Sequence, residues 1–473
     1  MKTKKITFFL LANALCILSF SISAKDVFAN STTGNDTKDG STFENSVKTV
    51  AQAYVLAGDG DVIKLDGTFL FDLKLTIEKV GLTIQSVGTT KAILDGGNNT
   101  WIFDLKSSIT LKKLTFTNGY GADGGALNIP LGFERVVKIE DCLFNANQAG
   151  NRGGAIWCQT YGLPDKLTID RCVFTGNNSG SHGGAIAFIP EGGAATNKAV
   201  LTLNNSTFTQ NFNSTGGGGV LFVDGSATAY ATINVNNMTV AGNYTYDNGG
   251  NCPGFRFIGN KMAVKITNSI IEGNHTKDLN TDADGGFYDI SFTDIPNALT
   301  IQNSIIGNVT VNGSTTDPSN FVVVGSSVNN RKVNGDVSVA GLGDFTNNHF
   351  LLTAQSLAYN FGLMQNVTPE TVVDQLGHKR SDATKCSAGA VEFFNFTLTG
   401  IKDNLISNYK VYATKGAIQI KAENVIANVY TLTGVLIDNS KINGFKSISV
   451  RPGVYLVCIE TGNKVSTSKV VIN

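Results

Sequence analysis

The chain is patterned by a short apolar signature that recurs along most of its length. An apolar residue, two polar ones, a small or apolar one, any residue and a bulky apolar one occur in that order. The copies are Leu111-Leu114-Phe116, Ile139-Cys142-Phe144, Ile169-Cys172-Phe174, Leu203-Ser206-Phe208, Val235-Met238-Val240 and Ile266-Ser269-Ile271, with a further copy at Ile301-Ser304-Ile306. Asn follows the last member of the middle five copies, as Asn147, Asn177, Asn211, Asn243 and Asn274. Gly-Gly pairs begin at Gly96, Gly124, Gly153, Gly183, Gly217, Gly249 and Gly285, at intervals of 28 to 36 residues. A self-similar period of this size means a solenoid. The apolar spacing is not helical, and β-branched or aromatic runs such as LTIDRCVF alternate with Gly and Asn, so each repeat reads as short strands joined by turns. Counterparts one repeat apart then stack as parallel strands about 4.8 Å apart. The pattern predicts an all-β chain wound as a parallel β-helix.

The polar pair inside the signature marks a bend that turns Ile139, Cys142 and Phe144 inward together. The recurrent Asn suits a left-handed turn position, with side chains forming a ladder from coil to coil, and Gly-Gly serves the opposite corner. Alternation after Gly-Gly places Ile156, Cys158, Ile186, Phe188, Val220 and Phe222 inside and Asn128, Trp157, Ala187 and Leu221 outside. Cys142 and Cys172 occupy equivalent positions and read as a buried thiol stack, not a disulfide. Ser46 to Leu56 sets Val47, Val50, Ala51, Tyr54 and Val55 on one helical face, a lid for the first coil. Gly58 to Phe69 begins the first strands.

Both ends differ from the repeats. Lys2, Lys4 and Lys5 precede an apolar run from Ile6 to Phe20 and small residues up to Ala24, which reads as a secretory signal peptide over residues 1–24. No later stretch has the apolar length of a membrane span. The solenoid is expected over 25–395 and a small C-terminal β-sandwich over 396–473, where strands of another rhythm appear. Lys+Arg and Asp+Glu balance at 37 each, so no net field attracts nucleic acid. Charged residues are only 16% of the chain, and its 52 Gly serve turns inside a folded object with 42% hydrophobic residues.

Several segments resemble known families. Gly34 to Phe69 is similar to the opening of exported right-handed parallel β-helix proteins of the pectate-lyase-like superfamily. The GGAI-type and FxxN-type repeats resemble the polymorphic outer-membrane protein repeats of bacterial surface adhesins. Phe350 to Gly362, Asp374, Gly377, Arg380 and Gly389 to Glu392 resemble the closing segment of surface β-helix proteins. Val429 to Gly434, Ser449 to Glu460 and the final Lys469 to Asn473 resemble the C-terminal sorting domain of the type IX secretion route in Bacteroidota. The Asn-Pro usual after that domain's first strand is replaced here by Val411 to Gly416. Together the resemblances imply export, an extracellular or outer-membrane cell-surface location, and the export machinery as a partner of the C-terminal domain.

Chemistry is sparser. Asp278, Asn280, Asp282 and Asp284 have the alternating oxygen spacing of a Ca²⁺ loop, but Ser291 stands where the twelfth-position acid belongs. Asn280-Thr281-Asp282 matches the first motif of polygalacturonase-type hydrolases without the partner motifs that hydrolysis by two carboxylates needs. His182 and His275 read as turn residues. Trp157, outside on its strand with Asn128 alongside and Tyr161 downstream, offers a sugar-stacking platform, unless the loop from Tyr161 to Lys166 folds over it. Two functions follow: a non-catalytic surface protein that binds a host or dietary glycan or a surface partner protein, and a calcium-dependent lyase of acidic polysaccharides. The first is favoured because no base is placed beside the acidic loop; Arg171 and Lys166 are several coils, about 15 Å, away.

Overall fold

The computed structural model describes residues 24–392 and 409–472, apart from 89, 133, 162–164, 193, 196–197, 226–228, 247–250, 295, 297, 317–329, 334–340, 347, 353–355, 370, 381–383, 415, 432–434 and 462–463. The expected signal peptide, up to residue 23, and the expected domain boundary at 395/396 lie outside the described residues. The chain divides into two compact units, Met1–Phe393 and Phe394–Asn473. No helix among the described residues is long and apolar enough to cross a membrane.

The first unit is a parallel β-helix. Its first sheet has ten strands, from Asp26–Asn30 to Ala298–Gln302. A second sheet runs from Thr68–Leu70 to Arg331–Lys332, and a third from Leu75–Ile77 to Val309–Val311 before one antiparallel strand, Ser314–Thr316. A shorter fourth sheet, from Tyr120–Asp123 to His275–Lys277, lies between the second and third in chain order. Ile139, Ile169, Leu203, Val235, Ile266 and Ile301 stand in register, one per coil. All six are fully buried. Beside them Phe116, Phe144, Phe174 and Phe208 stack face to face, with ring centroids 4.8, 4.5 and 4.5 Å apart. The uneven spacing of the signature thus builds an axial core in which each position stacks apolar residues coil on coil.

The bends follow the sequence pattern with one correction. At the first bend the residue before Cys142 or its equivalent is left-handed: Asp141 (φ 55°), Arg171 (51°), Asn205 (45°) and Asn237 (54°). At the second bend the left-handed residue is not the ladder Asn but the one before it, as at Ala146 (54°), Gly176 (63°) and Gln210 (58°). The Asn side chains turn inward instead. Asn147 Nδ2 donates to Asn177 Oδ1 at 2.9 Å, Asn177 to Asn211 at 2.8 Å, Asn211 to Asn243 at 2.9 Å and Asn243 to Asn274 at 2.8 Å. Each Oδ1 also takes the backbone N–H of the preceding Asn, so the ladder closes hydrogen bonds that the turn leaves open. The carboxylate of buried Asp289 ends it, accepting from Asn274 N and Nδ2 at 3.0 and 2.7 Å. Burial pushes that carboxyl up to about 7, against the N–H donors that favour its anion. Cys142 and Cys172 are buried free thiols, stacked so that Cys142 N lies 3.4 Å from Cys172 Sγ.

At the third corner, Gly153 takes φ 67°, and a Cβ on Gly154 would lie 2.0 Å from the carbonyl oxygen of Gly184 in the next coil. The second Gly is therefore required by the spacing of the coils. Within the run Gly216 to Gly219, this role falls on Gly218 and Gly219, one residue later than expected. Leu221 and Val223 consequently pair with Ile186 and Phe188 and face in, and Phe222 faces out beside Ala187, reversing the expected assignment of Leu221 and Phe222, while Val220 stays in the core as expected. The pair at Gly249 lies outside the described residues, and Gly285 stands in a hairpin strand, Asp284–Phe287.

The ends are covered. The helix is Val50–Leu56, capped by Thr49, whose side chain accepts from Gln52 N. Val50 and Ala53 are its buried residues, whereas Ala51 and Val55 are exposed. Val47 precedes the helix and bridges to Ala29. The first strand, Asp26–Asn30, lies before this helix and pairs with Val62–Asp66. Residues 341–392 form a strap over the outer side of the second sheet, where Leu342, Phe350, Leu352, Ala358 and Ala388 cluster with Ala241, Ile270 and Ile305. Buried Arg380 pins it, donating to Glu392 Oε2 at 3.1 Å and to Asn205 Oδ1 at 3.0 Å.

The second unit is an antiparallel sheet of five strands with its own apolar core, including Ile418, Ile420, Val429, Val457 and Ile459. Its longest strand, Ala417–Thr431, is bent by a bulge between Ala422 and Val425 with Asn424 at φ 52°.

Candidate functional site

The strands fix two outward rows that run along the solenoid. On the third sheet Asp104, Asn128, Trp157, Ala187, Phe222 and Arg256 lie in register. On the fourth, Tyr120 and the residues after the five ladder Asn, Gln148, Asn178, Phe212, Tyr244 and His275, form a second row. Only the Gly-Gly corner separates the rows. Side chains reach each other across it: the Arg152 guanidinium is 5.7 Å from the Trp157 ring, and the His182 ring is 4.3 Å from that of Phe222. The Arg256 side chain lies over Gly217, where a Cβ would come 2.4 Å from its Cδ.

Trp157 is half-buried, packed with Ala187, Ile189 and Phe222. Its Nε1 is buried with no hydrogen-bond partner among the described residues. Asn128 donates from Nδ2 to Asp104 Oδ1 at 3.0 Å, while its own Oδ1 is buried and unpaired among the described residues. Tyr161 ends the strand Ile156–Tyr161. Its side chain and the following loop lie outside the described residues. The indole is thus placed on the outer face, as expected, but as part of the corner's packing.

The open aromatic surface belongs to Tyr120, which the sequence reading passed over. It is 43% exposed, and its hydroxyl lies 4.0 Å from where a Cβ of Gly150 would stand. The side chain thus extends toward the next coil, with its hydroxyl near Gly150. Gln148 and Asn151 are exposed beside it. Arg152 Nε pairs with Asp123 Oδ1 at 3.1 Å, and Asn151 Nδ2 donates to the same oxygen at 3.2 Å. Farther along, the rings of Phe212 and Tyr244 stack at 4.8 Å with Tyr246 edge-on to both, so they cover one another's faces. For Gln148, Asn178, Phe212, Tyr244 and His275 the signal was the ladder itself, since whatever follows a buried Asn on an extended strand points out; Tyr120 follows Gly119 and carried no such signal.

The acidic loop is the tip of the hairpin between His275–Lys277 and Asp284–Phe287. Its side chains have separate partners. Asp278 Oδ1 accepts from the backbone of Asn280 and Thr281 at 2.9 Å each, which closes the turn locally. Asp282 Oδ1 accepts from Lys277 at 3.2 Å and from the Tyr246 hydroxyl at 3.1 Å, and Asp284 lies 3.1 Å from His275 Nε2. Asn280 is exposed. Among the described residues no three His, Cys, Asp or Glu side chains converge as a metal site requires. A cation does stand beside the loop, contrary to expectation, but Lys277 Nζ lies over the Tyr244 ring at 4.8 Å and is tied to Asp282. Arg171 belongs elsewhere, at the first bend, paired with Asp141 at 2.8 Å and with Asp170.

No family model and no curated protein sequence matches this chain.

Proposed function

We propose that this protein is a non-catalytic glycan-binding β-helix that acts at the cell surface, reached through its leader and its C-terminal unit. The observation that carries the reading is the exposed Tyr120 ring, its hydroxyl near Gly150, beside the amides of Gln148 and Asn151 and the Arg152–Asp123 pair. A pyranose offers an apolar C–H face and a rim of hydroxyls. An aromatic ring beside groups that both donate and accept hydrogen bonds is complementary to both. The site lies on rigid strands, so little ordering opposes binding. A glycan array probed with the wild-type chain and with Tyr120→Ala tests it: the variant is expected to bind roughly tenfold more weakly, about 1.4 kcal/mol. Equal binding by both would remove this face from the reading. Unsaturated products released from pectin or alginate and abolished by EDTA would replace binding with lyase chemistry.

A further inference from the structure

Two of the corner's three cations, Lys74 and Arg152, are already paired with carboxylates. Lys74 Nζ lies 3.6 Å from Asp104 Oδ2 and 4.4 Å from the centroid of the Trp101 ring. Arg152 lies against Asp123 at one side and the Trp157 ring at the other. Arg256 donates to Asn251 Oδ1 at 2.6 Å while its shaft fills the space over Gly217. His182 adds no charge at neutral pH, because burial, and then Arg256 and Arg152, hold its imidazole below the ordinary 6.5.

From this pairing we infer that the glycan bound in the corner is an uncharged polysaccharide, recognised by its hydroxyls and ring faces. The inference rests on the glycan-binding reading and narrows it. A uronate or sulfate entering here would compete with Asp104 and Asp123 for their cations and meet those carboxylates at close range, where like charges repel. A hydroxyl does not. An Arg–Asp pair presents a donor and an acceptor side by side, which matches an –OH that both accepts and donates and leaves the ion pair intact. Exposed Gln148 and half-exposed Asn178, one strand apart at about 4.8 Å, extend the same neutral recognition along the fourth sheet. Such binding owes little to long-range fields, so salt leaves it almost unchanged.

Affinity electrophoresis of the mature protein through gels containing a neutral β-glucan, a neutral mannan, polygalacturonate or chondroitin sulfate, at low and high salt, tests this. Retardation by a neutral polymer is expected, within twofold at both salt levels and about tenfold weaker for Tyr120→Ala. The double variant Asp104→Asn/Asp123→Asn, which releases Lys74 and Arg152, is expected to gain retardation by polygalacturonate that high salt removes. Wild-type retardation by a polyanion, weakened steeply by salt, would overturn the uncharged ligand while leaving glycan binding intact. Retardation by none of the four would count against the glycan reading itself. Neutral-polymer binding that is indifferent to Tyr120→Ala would place the site outside the corner. Matching unfolding midpoints of wild type and variants keep each of these outcomes decisive.

Discussion

At the residue scale, one amide type does two jobs that its neighbours cannot share. Asn211 accepts from Asn177 N and Nδ2 through Oδ1, and through Nδ2 donates to Asn243 Oδ1 and the Phe174 carbonyl. Its burial is complete. Asn211→Ala strands several of these groups away from water, each at about 1–3 kcal/mol, so a loss of about 3–5 kcal/mol is expected. Asn178, the preceding coil's outward neighbour of such a ladder residue, loses no buried partner, and Asn178→Ala should fall within about 0.5 kcal/mol of wild type. Urea unfolding of the two variants makes the comparison, and equal midpoints would show that the ladder is decoration. The ladder was legible in the sequence because buried Asn at a fixed offset has few other uses. Its left-handed neighbour was not, since Ala146, Gly176 and Gln210 share no side-chain chemistry and are alike only in φ.

At the scale of elements, the first bend changes character along the solenoid. Its left-handed position is charged in the early coils, as Lys113, Asp141 and Arg171, and Asn in the later ones, as Asn205, Asn237, Asn268 and Asn303. The switch falls where the strap covers the bend: Asn268 exchanges two hydrogen bonds with the Leu363 backbone at 3.0 Å each, and Asn303 Oδ1 accepts from Asn366. A charge buried there would need a partner, whereas an amide reads the strap's backbone directly. The change was visible in the sequence, but its cause was not, because the strap returns from far downstream, 95 residues on for Asn268 and 63 for Asn303. Arg380 holds the strap, and replacing it leaves Glu392 buried without its ion-pair partner, at about 3–5 kcal/mol. Arg380→Met should therefore free the strap locally before the coils unfold. Cys386, a buried free thiol of the strap, is then expected to react with a thiol reagent at native conditions, beyond the background set by partly exposed Cys458. Unchanged labelling would mean that the apolar cluster under the strap suffices to hold it. The corner was legible only in half. Trp157 and Asn128 were assigned to the outer face by alternation, but alternation along one strand says nothing about which outward side chains meet across a corner. That depends on the angle that Gly-Gly sets between two sheets.

At the scale of the whole molecule, the two units contrast in how their stability is built. The coils share one axial core from Val27 to Val309, each contacting chiefly its neighbours, as solenoids do. The C-terminal unit has a separate core drawn only from its own strands, with Ile418, Ile442, Val457 and Ile472 among its members. The change of rhythm near residue 398 was readable because antiparallel strands need long alternating runs, while the bulge at Asn424 depends on how two partner strands compete for one backbone. Separate cores predict separate unfolding. A chain ending at Glu392 should keep the solenoid's transition at the temperature seen in the full chain and lose only the transition that belongs to the second unit. Calorimetry of the two chains is the measurement. A solenoid transition that moves down by more than a few degrees on truncation would mean that the C-terminal unit stabilises the coils, and that its burial of apolar surface extends beyond the core assigned to it.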